Sequence, residues 1–188
     1  MNPFVIGFDL KTGKSDDIQS TKRYLSDMKG MYFDDKDLGD ILENENPLVY
    51  EFYELDIPNL PSDLLFGTSI VYPGKVGNEY YMTKGHFHEV LETAEVYYTL
   101  NGEGYMLMET PEGDWYAAQL KPGKAVYVPP RWAHRSINCG DTPLITFFCF
   151  RADAGHDYGT IEEKGYRKLI VEGKEGKPEI IDNPKWNR

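Results

Sequence analysis

Between residues 20 and 46 the apolar positions Leu25, Met28, Met31, Leu38, Ile41 and Leu42 stand among charged neighbours at spacings that suit short helices. That pattern predicts an N-terminal cover lying over a core. From residue 47 onward, runs rich in Val, Ile, Tyr, Phe and Thr predict strands over 49–55, 65–72, 80–88, 94–101, 104–110, 114–120, 125–128, 134–138 and 144–151. Pro73-Gly74, Asn101-Gly102, Pro111 to Gly113, Pro122-Gly123 and Gly140-Asp141 punctuate them as turns. No helical pattern alternates with these runs, so an all-β sandwich or barrel is predicted and a doubly wound α/β sheet is disfavoured. One more strand is predicted over 167–171, and after it a polar tail through Lys185, Trp186 and Arg188 that packs loosely or contacts a neighbour. With 188 residues the chain can bury one core. It is therefore read as a single domain: cover 1–46, barrel core 47–165, C-terminal strand and tail 166–188.

Side chains alternate faces along a strand, so His86 and His88 are expected to point one way and Phe87 the other. In the following run Glu95, Tyr97 and Thr99 share a face. His134 comes after the rigid turn Pro129-Pro130-Arg131-Trp132-Ala133, which is able to bring a distant strand alongside the first two histidines. Three imidazoles with one carboxylate suit a borderline divalent ion, Fe(II), Ni(II), Mn(II), Co(II) or Zn(II), and leave coordination positions open. By the same alternation Lys84 falls opposite Thr83 and is read as a solvated surface lysine; Arg135, opposite His134, is read as structural.

Composition narrows the partners. With 31 acidic against 20 basic residues the net charge is −11, which offers no footprint for a nucleic-acid backbone. An anionic substrate would meet a repulsive field, so a local metal or a donor-lined pocket must overcome it. The 14 Tyr and 3 Trp supply many rings that carry a polar group. Cys139 and Cys149 form no CxxC pattern and are read as reduced thiols. The apolar start is broken by Gly7, Asp9 and Lys11, and no run of about 20 apolar residues suits a membrane span. The expectation is a cytoplasmic protein with no membrane and no nucleic-acid partner.

These residues resemble the cupin motifs. The first reads His86-x-His88, six residues, Glu95, six residues, Gly102; the second reads Gly123, five residues, Pro129, four residues, His134, three residues, Asn138. The gap before Glu95 is longer than usual, which keeps Glu89 and Glu92 open as ligands, while the placement of Gly102 favours Glu95. A closer resemblance is to the archaeal cupin-type phosphoglucose isomerases. It is carried by Tyr-Pro-Gly-Lys-Val-Gly at 72–77, Thr-Lys-Gly-His-Phe-His at 83–88, Ala-Glu-Val-Tyr at 94–97, Val-Tyr-Val-Pro-Pro at 126–130, Trp-Ala-His-Arg at 132–135 and Ala-Asp-Ala-Gly-His-Asp-Tyr-Gly at 152–159. The last block is not shared by cupins in general.

The resemblance implies a cupin double-stranded β-helix, a jelly-roll barrel, with a short N-terminal helical segment. It implies an aldose–ketose isomerase acting on glucose 6-phosphate and fructose 6-phosphate in glycolysis or gluconeogenesis. One divalent metal per subunit, Fe(II) foremost, would be held by His86, His88, Glu95 and His134. Glu95, His156 and Tyr158 would be catalytic; Tyr50, Ser69, Thr83 and the amide of Gly85 would receive the phosphate, with Tyr97 lining the cavity. A homodimer through an edge strand or the N-terminal segment is expected by analogy. Two other readings share the scaffold: an iron dioxygenase, and a sugar-binding regulatory protein with a structural metal.

Overall fold

Residues 2–186 are described here from a computed structural model. The N-terminal cover supplies β1 (Thr21–Tyr24), a 3-10 turn over Leu25–Met28 and α1 (Asp35–Leu42). The helix starts where the Asp34 carboxylate accepts from the amides of Lys36 and Asp37, and it buries Leu38. Next come β2 (Leu48–Glu54), β3 (Leu64–Val71), β4 (Lys75–Val76), β5 (Glu79–Tyr80) and β6 (Glu95–Asn101). They are followed by β7 (Gly104–Glu109), β8 (Trp115–Leu120), β9 (Ala125–Val128), β10 (Ala133–Asn138) and β11 (Leu144–Arg151). The chain ends with α2 (Gly159–Lys164), β12 (Lys168–Glu172) and β13 (Pro178–Asp182).

The strands form three antiparallel sheets, in the orders β1-β2-β3-β11-β6-β9, β10-β7-β8 and β13-β12-β5-β4. One apolar cluster joins them: Val49 and Phe148 from the first, Met106 and Ile137 from the second, Val76 and Ile170 from the third, with Leu25, Met28 and Leu38 from the cover. Alternation holds where it was expected in β6, which buries Glu95, Tyr97 and Thr99 and exposes Val96 and Tyr98.

The expected strand over 80–88 does not form as one element. After β5 the chain pairs with β10 only at Met82–Ile137 and His86–His134, and Phe87 pairs instead with Asp157. Gly85 lies between them with φ +76°, and a Cβ there would come within 2.6 Å of the Tyr166 hydroxyl. A residue in this left-handed conformation ends the pleat, so strict alternation could not by itself place the histidines. Lys84 is likewise not a free surface lysine: its Nζ lies 3.1 Å from Glu162 on α2. Arg135 is structural, as expected. Buried at 3% exposure, it donates to the Lys84 carbonyl and lies 4.3 Å over the Tyr166 ring.

β1, β4, α2 and β13 carry too little periodicity to be read in advance. β1 exists because its backbone pairs with β2, Thr21 opposite Phe52 and Arg23 opposite Tyr50. The tail is held, not loose. β13 pairs along β12, Lys185 bonds Asp35 at 2.6 Å, and Trp186 donates through Nε1 to Glu109 at 3.2 Å. Glu109, fully buried on β7, also accepts from the Arg167 amide and pairs with Lys164 at 3.3 Å. Arg188 lies outside the described residues.

Asn138 closes the end of β10 against β3. Asn138 itself has zero exposure: its Nδ2 donates to the carbonyls of Val71 (2.8 Å) and Thr142 (2.9 Å), and its Oδ1 accepts from the Gly140 amide (2.9 Å). Asn138→Ala leaves those two carbonyls and one amide unpaired, so urea unfolding should show a loss of about 2–4 kcal/mol.

Candidate active site

Four potential ligand atoms, one each from His86, His88, Glu95 and His134, lie within 4.8 Å of one another. They come from separate stretches of chain. His86 and His134 are brought together by their own backbone pairing, with His134 N donating to His86 O at 3.1 Å. Glu95 opens β6, where it sits between Phe150 of β11 and Val128 of β9. His88, Glu95 and His134 are 5%, 2% and 1% exposed, so water does little to relieve their mutual fields.

The surroundings of the rings fix their chemistry. Thr93 donates its hydroxyl to the Val90 carbonyl at 2.7 Å, so toward His88 Nδ1, also at 2.7 Å, the same oxygen can only accept. The Nδ1 of His88 therefore carries the proton, and its Nε2 presents a lone pair. His134 Nδ1 faces the Trp132 carbonyl at 3.4 Å, which assigns the same tautomer. Both Nε2 atoms then point at Glu95 Oε2, at 3.1 Å for His88 and 3.0 Å for His134. His86 Nε2 and His134 Nε2 are buried and lack a hydrogen-bond partner among the described residues. Lone pairs facing a carboxylate oxygen at this distance repel unless a positive charge lies among them. A divalent ion fits that requirement, and the three-imidazole, one-carboxylate donor set suits a borderline metal.

Burial foremost, and then the neighbouring His134 and His156, hold the His86 ring well below its ordinary range, which keeps it neutral. Burial works against an ionised Glu95, and positive charge on His134 and His88 would offset it and hold the carboxyl well below the usual carboxylate range; with both rings neutral, a cation among them would have to supply that charge instead. Neutral imidazole beside ionised carboxylate is the state in which both can ligate.

A cavity opens onto this cluster. Its lining takes in Tyr50, Ser69, Thr83 and Gly85, the cluster residues His86, Glu95 and His134 with Tyr97, and His156 with Tyr158. Of the site residues expected from sequence only His88 is not part of the lining; Thr93 holds its Nδ1. Glu89 and Glu92, kept open as ligands, are exposed or outside the four-residue group. His156 is also outside that group. Its ring meets His86 edge-on at 4.4 Å between centroids and stacks on Tyr158 at an interplanar angle of 12°. Burial foremost lowers its pKa to about 4. Burial raises the Tyr158 phenol, as it does Tyr50 and Tyr97, where the Glu95 carboxylate adds to it.

Sequence reasoning missed Glu54, Phe148 and Phe150, which line the same cavity. For Glu54 a signal existed: Tyr50, Phe52 and Glu54 share one face of β2 by alternation, and all three line the cavity. Burial, and then the Glu95 charge, push Glu54 up to about 7.

The family described as Glucose-6-phosphate isomerase (GPI) matches residues 22–187. The chain belongs to this family. Within it, glucose-6-phosphate isomerase of Thermococcus litoralis is 49% identical over 184 residues, 98% of this chain and 96% of that one. The Pyrococcus furiosus enzyme is 47% identical over 99% of this chain and 98% of its own length. The glucose-6-phosphate isomerase of Sinorhizobium medicae is 38% identical over 99% of this chain and 88% of its own length. Among solved structures, an oxalate oxidase in complex with a substrate analogue, glycolate, superposes with TM-score 0.50 at 16% identity, covering 62% of this chain and 58% of that one. That likeness speaks to the fold alone, and the fold of this glucose-6-phosphate isomerase family member is a cupin barrel.

Thr93→Val removes the acceptor that orients His88, so competition with a chromophoric chelator should show metal affinity about 10–100-fold weaker. In metal-free protein, Glu54 has a folded-state pKa of about 7, above its unfolded value near 4.5, so the folded state loses stability as pH rises through that window. Glu54→Gln should therefore melt higher than the parent above pH 7, by on the order of 1–2 kcal/mol after allowing for its partial exposure. Below about pH 4.5 the difference should vanish.

Proposed function

We propose that this chain interconverts glucose 6-phosphate and fructose 6-phosphate in the cavity described above, using one divalent ion, Fe(II) foremost, held by His86, His88, Glu95 and His134. The observation that carries the reading is the pair of Nε2 lone pairs directed at the buried Glu95 carboxylate, beside a cavity that hydroxyl and amide donors also line. Family membership supplies the substrate.

Moving hydrogen between C2 and C1 requires the oxygens on both carbons to exchange double-bond character. A divalent ion at the cluster would act as a Lewis acid on those two oxygens. Tyr50, Ser69, Thr83 and the Gly85 amide bind the phosphate and fix how deep the sugar enters, and Tyr97 packs against its chain. Glu95 Oε2 is the atom beside the histidines, which assigns Oε1 to carrying a proton from one carbon to the next. His156, neutral at neutral pH, and Tyr158, protonated there, exchange protons with the sugar hydroxyls and assist ring opening. Phe148 and Phe150 keep water from that side of the cavity.

We read the chain as one domain, cytoplasmic and homodimeric. Support for the compartment is the pair of free cysteines, Cys139 and Cys149, and no helix among the described residues is long and apolar enough to cross a membrane. Support for the dimer is the exposed aromatic surface along the edge strands β8 and β9, where Trp115, Tyr116 and Tyr127 are 38%, 61% and 59% exposed.

The test is a coupled isomerase assay on protein stripped by chelator and reloaded with Fe(II), Ni(II), Mn(II) or Zn(II). Activity should vanish on stripping and return on reloading, and His88→Ala or His134→Ala should abolish the return. His156→Ala should keep its metal and lose turnover by about 10²-fold or more, the usual contribution of a positioned acid–base group. Turnover that survives stripping, or no turnover with any ion, would refute the assignment.

A further inference from the structure

β1 is the outermost strand of the six-stranded sheet, and Arg23 is paired directly with Tyr50 of β2. Residues opposite one another on antiparallel neighbours project from the same face. Since Tyr50 lines the cavity, Arg23 projects beside it and extends that wall outward by one strand. The register irregularity of this ladder falls after Arg23, so the pairing itself is regular. The guanidinium counters the effect of burial on the hydroxyls of both Tyr50 and Tyr158, two residues that line the cavity.

Arg23 is half-buried, yet no carboxylate among the described residues forms an ion pair with it. Its guanidinium donates only to the neighbouring Lys22 carbonyl, at 3.1 Å. The other described arginines are engaged: Arg131 and Arg151 with carboxylates, Arg135 and Arg167 over aromatic rings. In a chain with 31 acidic residues, a partly shielded arginine left without one is a charge held in reserve. Five donors in a planar fork match two oxygens of a phosphoryl group, and partial shielding from water strengthens that attraction.

We propose that Arg23 is a substrate-binding residue that grips the terminal phosphate of the sugar from the cavity rim, adding charge to the neutral donors Tyr50, Ser69, Thr83 and the Gly85 amide. This rests on the sugar-phosphate reading of the cavity. It answers how a protein of net charge −11 admits a dianion: the first positive charge the phosphate meets is Arg23, ahead of the metal end.

The experiment uses full-length, metal-loaded protein. R23Q should raise KM for glucose 6-phosphate about 10–100-fold, the range of a lost charge-assisted hydrogen bond pair, while kcat stays within about threefold. Inorganic phosphate, titrated calorimetrically, should weaken by the same factor. The dependence of log KM on log salt should become shallower. R23K keeps the charge but loses the fork, and its KM should fall between, about 3–10-fold raised. If R23Q does not fold, R23K decides alone, an unchanged KM overturning the proposal. Unchanged KM and phosphate affinity in R23Q, or no phosphate binding by the parent protein, also overturn it. If phosphate binding depends on Arg23 while no metal restores isomerisation, the role of Arg23 stands and the isomerase reading falls; turnover with no dependence on Arg23 sinks the role of Arg23 and leaves the isomerase reading standing.

Discussion

A carboxylate oxygen and two imidazole lone pairs held about 3 Å apart in a dry interior repel one another, and the centre of this barrel is built around that repulsion. Neither partner can turn away. Thr93 fixes the His88 ring through a hydroxyl whose own proton is already committed to Val90, and His134 is fixed by backbone pairing with His86. The arrangement is electrically complete only with a cation among the four residues. That single requirement connects the turn before His134, the start of β6 and the loop around Gly85, because each must deliver one donor to one point.

One cavity joins that point to a set of neutral donors. Its lining combines His86, Glu95 and His134 with Tyr50, Ser69 and Thr83, and with Glu54, whose carboxyl is driven toward neutrality by burial. The pairing of β1 with β2 sets the Arg23 guanidinium beside Tyr50. A substrate carrying vicinal oxygens and a dianion finds both kinds of partner there. Tyr97, Phe148 and Phe150 add apolar surface for a carbon chain.

Much of this was legible in the chain itself. The turn spacing after residue 47 pointed to the all-β architecture, and β6 followed its alternation, Glu95 inward and Val96 outward. The convergence of His86 and His88 rested on an argument only partly right: alternation holds over the three residues themselves, but the long strand assumed around them is broken by Gly85. A left-handed glycine leaves no periodic mark. The pairing of Lys84 was hidden for a similar reason, since its partner Glu162 lies on a six-residue helix too short to show a period. Glu54 escaped notice although its position on β2 pointed inward with Tyr50, because one acidic residue at a strand end looks like any solvated edge. Arg23 was invisible because β1 takes its structure from β2, not from its own sequence.

Glu109 has a bearing on how this molecule comes into being. Its carboxylate is sealed inside β7, one strand from His134, and its partners, Lys164, Arg167 and Trp186, all lie beyond the barrel strands in the sequence. Burying Glu109 in β7 is therefore coupled to the docking of residues 164–186, which supply its compensating donors, so the barrel and the elements that follow it close as one unit.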